Sequence, residues 1–363
     1  MTVPSRIAGD ASVPSLGDLR ALALEKFGKN ACNFQLEFAQ ALLEGKKHVL
    51  LQAGCGMGKT LGFWIPLLAK PSGILIIVSP LTLLGDQHAN DLCEVGIRAI
   101  NVDMDTIAET PRVFEVKIII TMLCLTKDQQ DVEHGAYRVV ISSPEQLMKE
   151  GGGFDKLFRK PHFTSRLIAV IIDEAHCVSL WGSFRKQYQE LGRLRHLLPD
   201  WAHFAIVSAT LPATVLPDVI SRLGISKNDL HAIRLSNDRS NIALVVRKMK
   251  YPANTYMDLD FLVRDTSSDS PADVENLGGS RLRRHHEKFV IFFDDKNEAI
   301  GAADYLRSCL PLDQRRQIIW FMSDMSREFK DDGVEALATG KIWGICSTDS
   351  FGMVSENFFE VRI

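Results

Sequence analysis

The sequence predicts an α/β fold of two parallel-sheet domains in tandem, the second incomplete, and three observations carry that expectation. Short β-branched runs alternate with longer helical patterns from Lys47 onward. Most of the runs are apolar at consecutive positions rather than at every other residue, as in strands covered by helices on both faces. A stretch of Asn, Asp, Arg and Ser near Ser236 to Ser240 separates two similar series of such runs.

In chain order, the first series comprises His48 to Gln52, Ile74 to Ser79, Arg138 to Ser142, Leu167 to Ile172 and Phe204 to Ser208, which assigns residues 1–235 to the first domain. The second comprises Ile242 to Met249, Phe289 to Phe293, Gln317 to Met322, Trp343 to Ser347 and a last stub at Val361 to Ile363, assigned to residues 236–363. Within it, Arg264 to Glu287 is rich in Ser, Asp, Gly and Arg and reads as an exposed insertion. Its basic run of Arg281, Arg283, Arg284, His285, His286 and Lys288 reads as a solvated linker, with a nuclear signal or a phosphate contact as the functional alternative.

A chain of 363 residues, 46% hydrophobic and 24% charged, can bury more than one core. Its formal net charge of -3 means that any nucleic-acid surface is a local basic patch. The seven cysteines are scattered, with no Cys-x-x-Cys pair and no Cys/His cluster at ligand spacing, which predicts a reduced intracellular protein without structural zinc. Met1 to Ser15 has no apolar core and does not read as a secretory signal. The longest apolar runs fall well short of the roughly 18 residues that span a bilayer, so no membrane partner is expected.

After the strand His48 to Gln52 comes Ala53-Gly54-Cys55-Gly56-Met57-Gly58-Lys59-Thr60, followed by an apolar helical segment. Glycines at 54, 56 and 58 let the backbone curl so that successive N–H groups face one anion, and the helix start adds its positive end. That strand, loop and helix order is a phosphate loop for ATP: Lys59 neutralises the outer phosphates and the Thr60 hydroxyl ligates Mg²⁺. Leu167 to Ile172 then delivers Asp173-Glu174-Ala175-His176 to a strand end, where α/β sheets bind ligands. Asp173 is expected to hold Mg²⁺ and Glu174 to orient and deprotonate the attacking water. Ser208-Ala209-Thr210 follows another strand; Ser208 and Thr210, with His176, are candidates for relaying the state of the phosphate site. Gln35, ahead of the loop, offers an amide that matches both edges of adenine, although a lone Gln reads first as a surface helix residue.

The segment from Asp173 to Tyr188, with Trp181, Phe184 and Arg185 inside it, resembles motif II and the aromatic-rich loop of RecQ-family helicases. Val78-Ser79-Pro80-Leu81-Thr82-Leu83 resembles motif Ia, Ser143-Pro144-Glu145-Gln146-Leu147 the Pro-Glu-Arg-Leu element, and Cys346 to Met353 motif V. The resemblance implies two RecA-like domains, with 3′ to 5′ unwinding of DNA driven by ATP and Mg²⁺. It further implies contacts from Ser79, Pro80, Pro144, Glu145 and Thr348 to single-stranded or partly duplex DNA, and a nuclear role in DNA repair and recombination. Trp181, Phe184 and Arg185 would sense the strand, by stacking and by phosphate pairing; the structural alternative makes Trp181 and Tyr188 core aromatics.

Several positions depart from the family pattern. Leu180 replaces a Gln, Ser183 stands where the family has a two-residue His-Asp step, no Arg accompanies Gln35, and Val354 replaces a Gly. The sequence ends at Ile363 before any Gln-x-x-Gly-Arg-x-x-Arg segment, so the arginine finger of motif VI is expected to be missing. A non-hydrolysing nucleotide- and nucleic-acid-binding module is therefore a second reading, and an RNA helicase of DEAD/DEAH type a third.

Overall fold

The computed structural model describes residues 13–80, 82–102, 137–182, 185–238, 242–263, 287–348 and 351. Ser183 and Phe184, the insertion up to His286 with its arginines, the motif V residues Asp349, Ser350, Gly352, Met353 and Val354, and the stub Val361 to Ile363 lie outside the described residues. The chain divides into two compact units, Met1–Arg239 and Ser240–Ile363.

The first unit opens with two helices whose ends are written in the sequence. Helix α1 (Leu16–Phe27) starts at a capping box between Ser15 and Asp18 and stops at Gly28, whose φ of 65° favours a residue without Cβ. Helix α2 (Asn33–Glu44) stops in the same way at Gly45. Strands β1 (His48–Gln52), β2 (Ile74–Val78), β3 (Ala99–Val102), β4 (Val139–Ser142), β5 (Leu167–Ile172), β6 (Phe204–Ser208) and β7 (Leu230–Arg234) form one sheet in the order β3-β4-β2-β5-β6-β1-β7. Every pairing in it is parallel. Crossover helices α3 (Lys59–Ala69), α4 (Thr82–Glu94) and α5 (Leu216–Arg222) connect or flank these strands.

The strands were expected to be buried on both faces, and alternate residues do sort to opposite cores. Ile74, Ile76 and Val78 of β2 join Val170 and Ile172 of β5 in one cluster. Leu75 and Ile77 join Ile168, Ile171, Phe38 and Phe63 in the other. Each such side chain contributes about 1.5 to 3 kcal/mol by leaving water. All parallel strands point their carboxyl ends the same way, so the loops after β1, β2, β5 and β6 share one edge.

The second unit holds three parallel strands, β8 (Phe289–Phe292), β9 (Ile318–Phe321) and β10 (Gly344–Ser347), ordered β8-β10-β9. Helix α6 (Lys296–Ser308) is capped by Asp295, which accepts from the Asn297 and Glu298 amides, and packs Ala299, Ala302, Ala303 and Leu306 on Ile318 and Cys346. Helix α7 (Arg327–Thr339) runs from a Ser326 cap to Gly340.

One expected strand is corrected. Ile242 to Met249 carries no strand, and its apolar residues are exposed, Leu244 at 92% and Val246 at 100%. β-branched composition gives a strand only where an edge accepts its ladder of hydrogen bonds, and β8, β10 and β9 pair without this run. Two strands were not foreseen: β3, of four residues, and β7, an edge strand whose exposed His231 and Ala232 break the apolar pattern. No helix among the described residues is long and apolar enough to cross a membrane.

Candidate nucleotide and nucleic-acid site

The loop from Ala53 to Gly58 leaves β1 and turns into α3 at Lys59. Gly56 and Gly58 take φ of 75° and 74°, so the backbone amides curl as an anion nest requires. Gly54 is buried while residues 55–58 are exposed, and the buried Lys59 lays its Nζ 3.4 Å from the Gly54 carbonyl. A cation folded over its own glycine loop at a helix start is the arrangement that a polyphosphate's oxygens complete. Thr60, half-buried, follows on the first turn of α3.

Gln35 corrects the surface alternative, since it is only 4% exposed. Its Oε1 accepts from the Cys32 amide at 2.7 Å, and its Nε2 donates to the Gly58 carbonyl at 2.7 Å and more weakly to Met57 at 3.4 Å. The side chain thus braces the phosphate loop from α2. A Cβ added at Gly58 would stand 2.9 Å from that Nε2.

Asp173 and Glu174 leave the end of β5, beside the strand end of β6. Asp173 is buried, its amide donates to the Val78 carbonyl, and its Oδ1 accepts from the Glu174 amide at 3.0 Å. Glu174 adopts φ of 45°, a left-handed conformation that costs a non-glycine residue about 1 to 2 kcal/mol. Its Oε2 lies 3.1 Å from Nδ1 of His176, which also lies 3.0 Å from the Ser208 Oγ. The Ser208 hydroxyl gives its proton to the Thr210 carbonyl at 3.0 Å and accepts from the Thr210 amide at 3.2 Å. Its contact with His176 is therefore as acceptor, which assigns the imidazole proton to Nδ1, shared with Glu174. On the other side of the ring, Cys177 Sγ is 3.6 Å from Nε2; burial pushes that thiol up to about 12, so it stays protonated. The acidic pair, His176, Ser208 and Thr210 thus form one connected path. Asp173 and the Thr60 hydroxyl are hard oxygen donors of the kind Mg²⁺ takes, and no group of three or more His, Cys, Asp or Glu side chains suited to a metal gathers among the described residues.

The residues expected at nucleic acid are placed differently from one another. Ser79, Pro80 and Pro144 are buried, and Pro144 opens a short helix, Pro144–Leu147, capped by Ser143. Arg185 and Glu145, both expected to meet the strand, meet each other: Nε and Nη2 donate to the two carboxylate oxygens at 2.7 and 2.8 Å, and Nη1 donates to the Pro80 carbonyl at 3.0 Å. The same guanidinium lies over the rings of Trp181 and Tyr188, at 5.5 and 5.1 Å. Burial pushes the Glu145 carboxyl up, but the Arg185 hydrogen bonds and further favourable contacts hold it below the usual carboxylate range on balance. Of the two aromatics, Tyr188 is core, 1% exposed, whereas Trp181 is half-buried and stands edge-on to it. Leu180, beside Trp181, is 57% exposed. In the second unit, Thr348 follows β10, its carbonyl accepting from Ser347 Oγ and the Phe351 amide.

Sequence reasoning missed two contacts that organise this edge: the Glu145–Arg185 fork, and Asn237, whose Nδ2 donates to the Ala209 carbonyl at 2.7 Å. Both join residues far apart in the chain, and neither leaves a local motif.

The chain is 28% identical over 219 residues to the ATP-dependent DNA helicase RecQ of Haemophilus influenzae, covering 60% of this chain and 31% of that one. It is 30% identical over 194 residues to the ATP-dependent DNA helicase Q-like 2 of Arabidopsis thaliana, covering 53% and 25%. The matched part spans about a third or less of these relatives. Among solved structures, Saccharomyces cerevisiae Dbp5 bound to RNA and ADP BeF3 superposes with a TM-score of 0.57 at 16% identity over 92% of this chain and 76% of that one. Mycobacterium smegmatis helicase Lhr bound to single-stranded DNA and AMP-PNP gives 0.58 at 18% over 93% and 42%. These likenesses establish the RecA-like parallel-sheet fold that the sequence predicted. The DEAD/DEAH box helicase model matches residues 32–218, the stretch that runs from Gln35 through the glycine loop and the acidic pair to Ser208. By that match over just more than half of its length, the chain belongs to the DEAD/DEAH box helicase family.

Proposed function

We propose that this chain is the motor portion of a RecQ-type DNA helicase, which couples ATP binding and hydrolysis to 3′ to 5′ translocation on single-stranded DNA. The observation that carries the reading is the unbroken path from Glu174 through His176 to Ser208 and Thr210, beside a glycine loop already curled for phosphate. In this reading Lys59 and the loop amides bind the triphosphate, while Thr60 and Asp173 hold Mg²⁺, which screens phosphate charge when bound. Glu174 takes the proton of the attacking water, and Gln35 presents its amide to the base while bracing the loop. The RecQ relatives support DNA as the substrate, and Trp181, Phe184 and Arg185 mark the loop where the strand would be sensed. A division at residues 235/236 into an ATP-binding domain and a second domain carrying Thr348, and a nuclear site of action, belong to the same proposal.

The test is steady-state ATP hydrolysis by the purified chain, alone and with single-stranded DNA or RNA, beside Lys59→Ala and Glu174→Gln. Turnover raised by DNA and lost in both variants supports the reading. Stimulation by RNA alone would make it an RNA motor, and nucleotide binding without turnover a binding module.

A further inference from the structure

We infer that Asn237 is a positioning residue that ties the Ser208–Thr210 loop to the segment leaving the first unit, so that the state of the nucleotide site reaches that segment. The inference rests on the proposed ATP site, which it deepens.

The backbone geometry leads to this residue. Strand β7 lies along β1 with Arg234 opposite Gln52, and the Leu235 amide adds one more bond to the Gln52 carbonyl at 2.8 Å, next to Ala53 of the phosphate loop. There the ladder ends. Two residues later the Asn237 side chain takes over, donating to the Ala209 carbonyl at 2.7 Å. Ala209 is 4% exposed, so this carbonyl belongs to a residue withdrawn from water, where an acceptor needs a donor from the chain. The Asp238 amide donates to Ser236 Oγ at 3.0 Å, which fixes the turn that aims Asn237 back at the loop.

What Asn237 holds is not a passive loop. Ala209 sits between Ser208, which accepts from His176 beside Glu174, and Thr210, whose amide and carbonyl both close on Ser208 Oγ. Any shift of Glu174 and His176 on meeting the triphosphate moves Ser208 and with it the Ala209 carbonyl. Asn237 carries that displacement to a point three residues before the second unit begins at Ser240. The exit segment is thereby bonded both to the phosphate-loop strand and to the relay loop.

Asn237→Asp provides an isosteric test, because a carboxylate cannot donate to a carbonyl; Asn237→Gln keeps the donor. Amide hydrogen exchange on the full chain, with and without Mg²⁺ and AMP-PNP, reads residues 54–60 and 235–238 separately. In the parent chain nucleotide should change exchange at both. In Asn237→Asp the response at 54–60 should persist while that at 235–238 disappears, and Asn237→Gln should restore it. DNA-stimulated turnover should fall by about tenfold in Asn237→Asp, with KM for ATP and basal turnover unchanged. An intact response at 235–238 in Asn237→Asp, or none there in the parent chain when 54–60 responds, overturns the inference alone. No response at 54–60 in the parent chain overturns the nucleotide-site reading, and the inference with it.

Discussion

Arg185 and Glu145 close a two-bond fork across 40 residues of sequence, and the third arm of the same guanidinium reaches the carbonyl of Pro80. One cation thus fastens three candidate nucleic-acid segments together and also lies over Trp181 and Tyr188. Arg185→Lys keeps the charge but cannot form the planar fork. We expect DNA-stimulated hydrolysis to drop in Arg185→Lys and further in Arg185→Ala, with ATP affinity retained. Stability should fall by about 1 to 3 kcal/mol in Arg185→Ala, as a half-buried carboxylate loses its donors. Denaturant melts beside DNA titrations of the ATPase check both effects.

Glu174 and His176 give a second prediction. Glu174→Gln should bind nucleotide normally and lose about 10²- to 10⁴-fold in turnover, as expected on removing a general base. His176→Ala cuts the path to Ser208 and should lower stimulation by DNA more than basal turnover. Single-turnover hydrolysis with and without DNA separates the two outcomes.

Gly58→Ala should fail for two reasons that add. The residue sits at φ of 74°, and the new methyl would meet Gln35 Nε2 at 2.9 Å. Left-handed backbone alone costs an L side chain about 1 to 2 kcal/mol, and displacement of Gln35 would release the loop. We expect weakened binding of a fluorescent ATP analogue, with only a small change in melting temperature.

Two buried histidines set an acid limit on the first unit. Burial lowers His88 to about 4, and burial, then Arg195 and His203, lower His48 to about 4 against a smaller opposing pull from Asp229. The His48 Nδ1 accepts from the Phe204 amide at 2.9 Å, which requires it unprotonated. Because the folded values lie below the unfolded 6.5, the unfolded chain binds more protons between pH 6.5 and 4. Stability is therefore complete above about pH 6.5 and falls as pH drops toward 4, each histidine contributing at most on the order of 3 kcal/mol. Melts at pH 7.5 and pH 5 should show the drop, and His88→Phe should reduce it.

In the first unit, the strands legible in the sequence were those flanked by sheet on both sides. β2 and β5 are apolar at every position because both faces are covered, and no polar residue interrupts the signal. β7 has a neighbour on one side only, so its exposed residues carry no constraint that composition could reveal. Ile242 to Met249 misled for the opposite reason, since apolar residues mark a strand only when a partner exists. The glycine loop and the placing of the acidic pair at a strand end were legible because each is a run of adjacent residues, whose spacing is fixed by one turn of backbone. The Arg185 fork and the Asn237 bond were not, because each is specified by where the sheet delivers distant loops.

The position of β1, between β6 and the edge strand β7, also bears on how the chain is made. β1 pairs only with β6 and β7, and the His48 ring bonds to an amide 156 residues later. At about 5 to 20 residues per second, a ribosome leaves the strand that carries the phosphate loop without its neighbours for roughly 8 to 30 seconds. During that interval Val49, Leu50 and Leu51, all fully buried in the finished sheet, have no ladder to join. The strand that leads into the glycine loop thus waits longer for its ladder than β2, which meets β4 much sooner in the chain, and it is a stretch of the nascent chain that a chaperone would shelter.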